Sequence, residues 1–159
     1  MKIIVARNDG SVSVMALLGD AAEAEHLAHD QLDVIVQAEI AQWPDDLRQS
    51  AVSWRAVSDE EIPEDRTFRG AWRAGSGYTG IEIDMDHCRA IWKDNMRVAR
   101  APKLAKLDLE FQRAMETGTS TKNIIARKQA LRDVTKLPSI EAATSPDDLK
   151  SVWPDVLNG

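Results

Sequence analysis

The sequence predicts an α+β protein, with a small N-terminal α+β domain (hairpin plus strand and helix) followed by a C-terminal helical hairpin region. Three observations carry that expectation. Two β-branched runs flank Asn8-Asp9-Gly10, and Asp-Gly supplies the positive φ that a tight hairpin turn needs. A glycine-rich break runs from Gly75 to Gly80. Beyond it, apolar residues recur at three- and four-residue spacing, the period of a helix with one buried face. The expected division is 1–74 for the N-terminal domain, 75–84 for a Gly-rich hinge with a short strand, and 85–159 for the helical region.

Lys2 to Arg7 and Ser11 to Leu17 are the hairpin strands, with Val12 and Val14 alternating against Ser11 and Ser13 as a half-buried strand does. Asp20 to Gln31 is rich in alanine and acid without a strong apolar stripe, which suits a solvated helix or an ordered loop. Leu32, Ile35, Val36, Ile40 and Trp43 mark a helix that stops before Pro44, because proline pushes the preceding residue out of the α region. Ala51 to Val57 is a strand with Val52, Trp54 and Ala56 on one face and Ser53, Arg55 and Val57 on the other. It is expected to pair with the hairpin.

In the second half, Ile81-Glu82-Ile83 is a short strand, and Asp84 or Asp86 is placed to cap a helix striped with Cys88, Ile91, Trp92, Met96 and Ala99. Pro102 is expected at a fresh first turn or a kink, since it lacks the amide an interior position uses. The stripe resumes with Leu104, Leu107, Phe111, Ala114 and Met115, so the helices are expected at 86–101 and 102–117. Gly118 ends the second, and Thr119 or Ser120 caps a third over 120–135. That helix is expected to bury Ile124, Ile125, the stem of Lys128, Leu131 and Val134. A short turn between helices of similar length predicts an antiparallel hairpin. Ser145-Pro146-Asp147-Asp148 then opens a last short helix through Leu149 and Trp153, with serine as cap and proline at the first helical position.

Charge is distributed unevenly. The chain carries a formal −6, but residues 1–80 hold 7 basic against 14 acidic side chains, whereas 89–136 hold 12 against 5. An acidic head and a basic helical middle can attract each other between copies or partners. The lone Cys88 excludes an internal disulfide framework, no secretory signal opens the chain, and no apolar run reaches membrane-spanning length. Synthesis in a reducing cytoplasm is the expectation.

The apparent chemical motifs do not hold up. Gly75-Ser76-Gly77-Tyr78-Thr79-Gly80 matches G-x-G-x-x-G, but a strand follows it where a phosphate-binding helix N-terminus belongs. His26 and His29 lie among Glu23, Glu25, Asp30 and Asp33, and Asp84, Asp86, His87 and Cys88 also cluster in sequence. A solvated acidic face, helix caps and a buried thiol account for these better than a metal does. No activated nucleophile with its base is present. The chain is expected to be no enzyme, with no catalytic residue, cofactor or metal. Arg89, Lys93, Arg97, Arg100, Lys103 and Lys106 could follow a phosphate backbone, yet no aromatic ladder accompanies them, so nucleic acid is disfavoured as a partner.

The candidate functional residues are therefore protein-contact residues. Phe68 and Trp72 are four apart, and a helical turn over 65–73 would set them on one face ringed by Arg66, Arg69 and Arg73. Core packing there is weighed equally with an interface. Trp92, Arg97 and Arg100 are the corresponding candidates on the helical half. Of the five tryptophans, most are expected to be core anchors, and an exposed one would mark a contact surface.

The segments IPEDRTFRGAW (62–72), IEIDMDHCRAIWKDNMRVARAPKLAKLDLEFQRAME (81–116) and ARKQALRDVTKLPSIEAATSPDDLKSVWP (126–154), a little under half of the chain, resemble a set of small tailed-bacteriophage proteins found among phage structural genes. Residues 1–61 carry no such signature. The resemblance implies a virion or tail-associated protein without active-site residues. Tail, neck and fibre-attachment roles all fit it, as does an assembly helper that leaves before the particle is complete. The expected function is a non-enzymatic structural protein of the tail or neck, made in the host cytoplasm, located in the virion and partnered by other virion proteins. A cytoplasmic tail-fibre assembly chaperone and a nucleic-acid-binding accessory protein are the alternatives. The free chain is expected to be a weakly associating monomer or small oligomer, becoming a homo-oligomer, ring or fibre-associated assembly in the particle.

Overall fold

The computed structural model describes residues 1–17, 27–78 and 80–158, and the chain divides into two compact units, Met1–Asp84 and Met85–Gly159. The acid-rich segment 20–31 lies largely outside the described residues.

In the first unit, β1 (Lys2–Arg7) is the middle strand of a three-stranded antiparallel sheet, between β2 (Val12–Ala16) and β3 (Ala51–Val57). The β1–β2 turn forms as the sequence predicts. Gly10 takes φ 78°, and the Asp9 carboxylate accepts the Ser11 amide at 2.9 Å and its hydroxyl at 2.5 Å. Alternation along β1 then divides the core. Ile3 and Val5 pack with Leu32, Val36 and Ile40 of α1 (His29–Ile40), while Ile4 packs on the other face with Val12, Val57, Ile62 and Trp72. Trp54 seals the first layer. Its indole donates to Asp33 Oδ1 at 2.6 Å and stacks on His29 at 4.9 Å.

Three features depart from expectation. Val52, expected beside Trp54, is 56% exposed, because the β1–β3 register jumps between Ala6 and Arg7 and leaves Val52 as the extra residue of a bulge. Asp45–Ser50 forms a short helix, α2, which apolar periodicity could not reveal, as it buries nothing; Pro44 precedes its first turn, where Asp45 and Asp46 suit the positive helix end. Finally, the short strand expected within 75–84 has a partner. β4 (Trp72–Ala74) and β5 (Ile81–Ile83) pair antiparallel, Gly75 N–H donates to Gly80 O at 2.9 Å, and Gly77 adopts φ 68°. The glycine-rich motif is the connection of a hairpin belonging to the first unit.

The second unit is built on α3, which runs unbroken from Met85 to Glu116. Of the two alternatives expected at Pro102, the fresh first turn does not occur, since the helix passes through it. Proline there leaves the Val98 carbonyl without its helical donor, but both residues are exposed, so water can take the donor's place. Across the helix from them, Met96 and Leu107 are buried. Gly118 (φ 68°) closes α3, with Thr119 N–H donating to Ala114 O at 2.8 Å in the reverse-turn pattern of a Schellman cap. The chain returns antiparallel through α4 (Lys122–Asp133), joined to α3 by Arg127–Glu110 at 3.0 Å and by a Lys128–Asp108 ion pair. Lys128 lays its stem inward, with Nζ 5.2 Å from the Phe111 ring centre.

Two short helices, α5 (Pro138–Ala142) and α6 (Pro146–Ser151), follow, and α6 packs on α3. The serine cap is as expected: Ser145 Oγ accepts the Asp148 amide at 3.1 Å, and Asp148 Oδ2 accepts the Ser145 amide at 3.0 Å. Met115 and Ile125, expected inside, are 63% and 51% exposed. Each stands one residue, about 100° of helix rotation, from a neighbour that holds the inward position: Ala114 and Ile124. Among the described residues no helix is long and apolar enough to cross a membrane.

Candidate protein-interaction surface

The aromatic candidates are core residues. Phe68 is 2% exposed, Trp72 5% and Trp92 9%. The helical turn expected over 65–73 is instead a single 3₁₀ turn, Arg69–Ala71, running into β4, so Phe68 and Trp72 do not share a helix face. Trp92 donates its indole N–H to Val152 O at 2.9 Å and meets Trp153 edge-on at 5.2 Å. None of the five tryptophans is exposed.

The basic side chains divide into two sets. Arg89 donates to Ala143 O at 2.9 Å, Lys93 reaches Glu141 at 2.5 Å and Lys103 donates to Asn158 O at 3.0 Å. Arg100 donates to Leu131 O at 3.4 Å and Arg132 O at 2.9 Å, placing its charge on the carbonyl end of α4 where the helix dipole is negative. Four of the six cations proposed to track a phosphate backbone thus fasten the unit together. Lys93 also holds the Glu141 carboxyl below the usual carboxylate range, first through its hydrogen bond and then through its charge. Among the described residues Arg97 pairs only with Asp94, in the preceding turn, and it stays half exposed. Arg66 and Arg69 are exposed.

Sequence reasoning missed a second apolar line on α3. Val98, Pro102, Ala105 and Leu109 follow a four-three-four spacing that keeps them on one face over about 16 Å of helix. All four are exposed, Val98 by 74% and Leu109 by 56%. Ala101 extends the patch, while Lys106 and Arg113 are exposed near it with no ion pair among the described residues. The spacing was present in the sequence. Reading Pro102 as a helix start broke its register.

Among the described residues no three His, Cys, Asp or Glu side chains gather where a metal could bind, and His26 lies outside them. Cys88 is buried. Set against known protein families, curated proteins and solved structures, the chain matches none of them.

Proposed function

We propose that this chain is a non-enzymatic structural protein of a tailed-bacteriophage virion, in the tail or neck region, mediating protein–protein assembly or fibre attachment. The outward apolar line of α3 carries the reading. A solvated helix gains nothing from Val98, Pro102, Ala105 and Leu109 in a heptad-like row, whereas a neighbouring virion protein can bury that row against a helix of its own. The internal engagement of Arg89, Lys93, Arg100 and Lys103 favours a protein partner over a nucleic acid. The resemblance of 62–72, 81–116 and 126–154 to tailed-phage proteins supplies the setting.

Mass spectrometry of purified virions tests this directly. The chain is expected in mature particles at a fixed ratio to the other structural proteins. Finding it only in the infected-cell cytoplasm would exclude the structural role and select the fibre-assembly chaperone.

A further inference from the structure

The first unit holds a cationic groove that the proposed role of α3 does not use. It encloses about 310 Å³ and is lined by Arg7, Arg66 and Arg69 together with Ser13, Val14 and Trp72. No carboxylate is among the described residues that line it. The setting makes this unusual, because residues 1–80 carry 14 acidic side chains and only 7 basic ones, and three of those seven converge here. Arg66 and Arg69 are exposed and have no ion pair among the described residues. Among the described residues Arg7 Nε is closed to solvent without an acceptor, and Nη2 of the same side chain reaches only Val12 O at a long 3.4 Å. A buried guanidinium donor left unmatched is costly, and the bonds a guanidinium makes to carboxylates are among the strong ones. Asp9, whose carboxyl feels the charge of Arg7, is committed first to the Ser11 hydroxyl and amide.

The backbone beside the groove narrows the ligand further. Arg7 N–H donates to Ser11 O, so Val5–Ser13 and Ile3–Met15 are the hydrogen-bonded pairs of the hairpin, and Ile4–Val14 is a non-bonded pair. The amide and carbonyl of Val14 therefore point away from β1, on the outer edge of β2 beyond the point where Ser11 bridges to Arg73 of β4, and find no partner among the described residues. An edge of this kind accepts an added strand.

We infer that this groove docks an extended acidic segment of a partner protein. Its backbone pairs with the edge of β2 at Val14, and its carboxylates meet Arg7, Arg66 and Arg69. Trp72 and Val14 give the intervening side chains an apolar wall. The inference stands on the first unit alone and survives or fails independently of the α3 surface.

The test uses the full chain, ¹⁵N-labelled, titrated with a synthetic extended peptide that alternates glutamate and valine. Saturable binding is expected, weakening steeply with salt, with slowed hydrogen exchange at the Val14 amide. Arg66→Gln with Arg69→Gln should weaken binding at least about tenfold (~1.4 kcal/mol) while leaving the unfolding curve unchanged. Arg48→Gln, at an exposed residue outside the groove, should have no effect. Absence of binding, or binding indifferent to the double substitution, overturns the proposal. So does equal occupancy by inorganic phosphate with no protection of Val14, which would make the groove a small-oxyanion site.

Discussion

Arg97 and Arg100 stand three residues apart on α3 and look alike in sequence, yet the structure gives them different work. Arg100→Met removes the guanidinium and keeps most of the aliphatic stem, so the loss measured is that of its hydrogen bonds. One of these, to Arg132 O at 2.9 Å, has full strength, while the other, to Leu131 O at 3.4 Å, is marginal. A charge-assisted bond contributes about 1.5–3 kcal/mol, and the charge at the α4 carbonyl end adds about 0.3–1 kcal/mol. Arg100 is only half-buried, so the lower part of that range applies and a loss of about 1.5–2 kcal/mol is expected. Arg97→Met, which breaks an exposed pair with Asp94, should change stability by no more than about 0.5 kcal/mol. Urea unfolding followed by far-ultraviolet circular dichroism, with the slope m held common, reads both. Equal effects would refute the assignment of Arg100 to α4. If Arg100→Met instead left stability untouched and abolished a salt-sensitive affinity for DNA, the accessory-protein reading would replace it.

Further outcomes follow from the packing and the caps. Phe68→Ala should cost about 3–5 kcal/mol of monomer stability, because its ring is almost fully buried; intact stability with lost assembly would return Phe68 to an interface. Gly118→Ala should cost about 1–2 kcal/mol through backbone strain at φ 68° alone, since a methyl there meets open space, and thermal unfolding against wild type checks it. The Asp148 carboxyl is held below its ordinary value by the Ser145 hydroxyl and then by the hydroxyl and amide of Thr144. A carboxyl with a depressed folded pKa stabilises above its unfolded pKa and loses that contribution as pH falls through the folded value. Stability should therefore fall as pH drops below the ordinary aspartate value of about 3.9, less steeply in Asp148→Asn, as chemical unfolding at a series of acidic pH values would show.

Local chemistry was the most legible part of the sequence. Asp9-Gly10 and the Ser145-Pro146 cap specify their structures through neighbours alone, and both formed as read. What escaped depends on partners remote in sequence. The continuity of α3 through Pro102 rests on which side of the helix faces water, and the strand at Ile81–Ile83 finds its partner in Trp72–Ala74. The arginines were equally ambiguous. Spacing put Arg97 and Arg100 in one row, and only the position of α4 separates an exposed cation from a helix cap. The mixed α+β class was legible because it needs only the change of period from two to three-and-a-half, which falls near Ile83. The outer line of α3 was hidden by the stronger inner one, with Cys88, Trp92 and Met96 dominating the pattern.

The account's central claim is that Val98, Pro102, Ala105 and Leu109 form a contact surface in an assembled particle. Its most direct measurement is the incorporation of a Val98→Asp, Leu109→Asp double variant into virions, quantified against the major structural proteins alongside the variant's unfolding free energy. Both residues already face solvent, so stability should stay within about 1 kcal/mol of wild type. The account predicts that incorporation nevertheless falls at least about tenfold, equivalent to ~1.4 kcal/mol of lost contact energy. A stable double variant that enters particles at the wild-type level would contradict it.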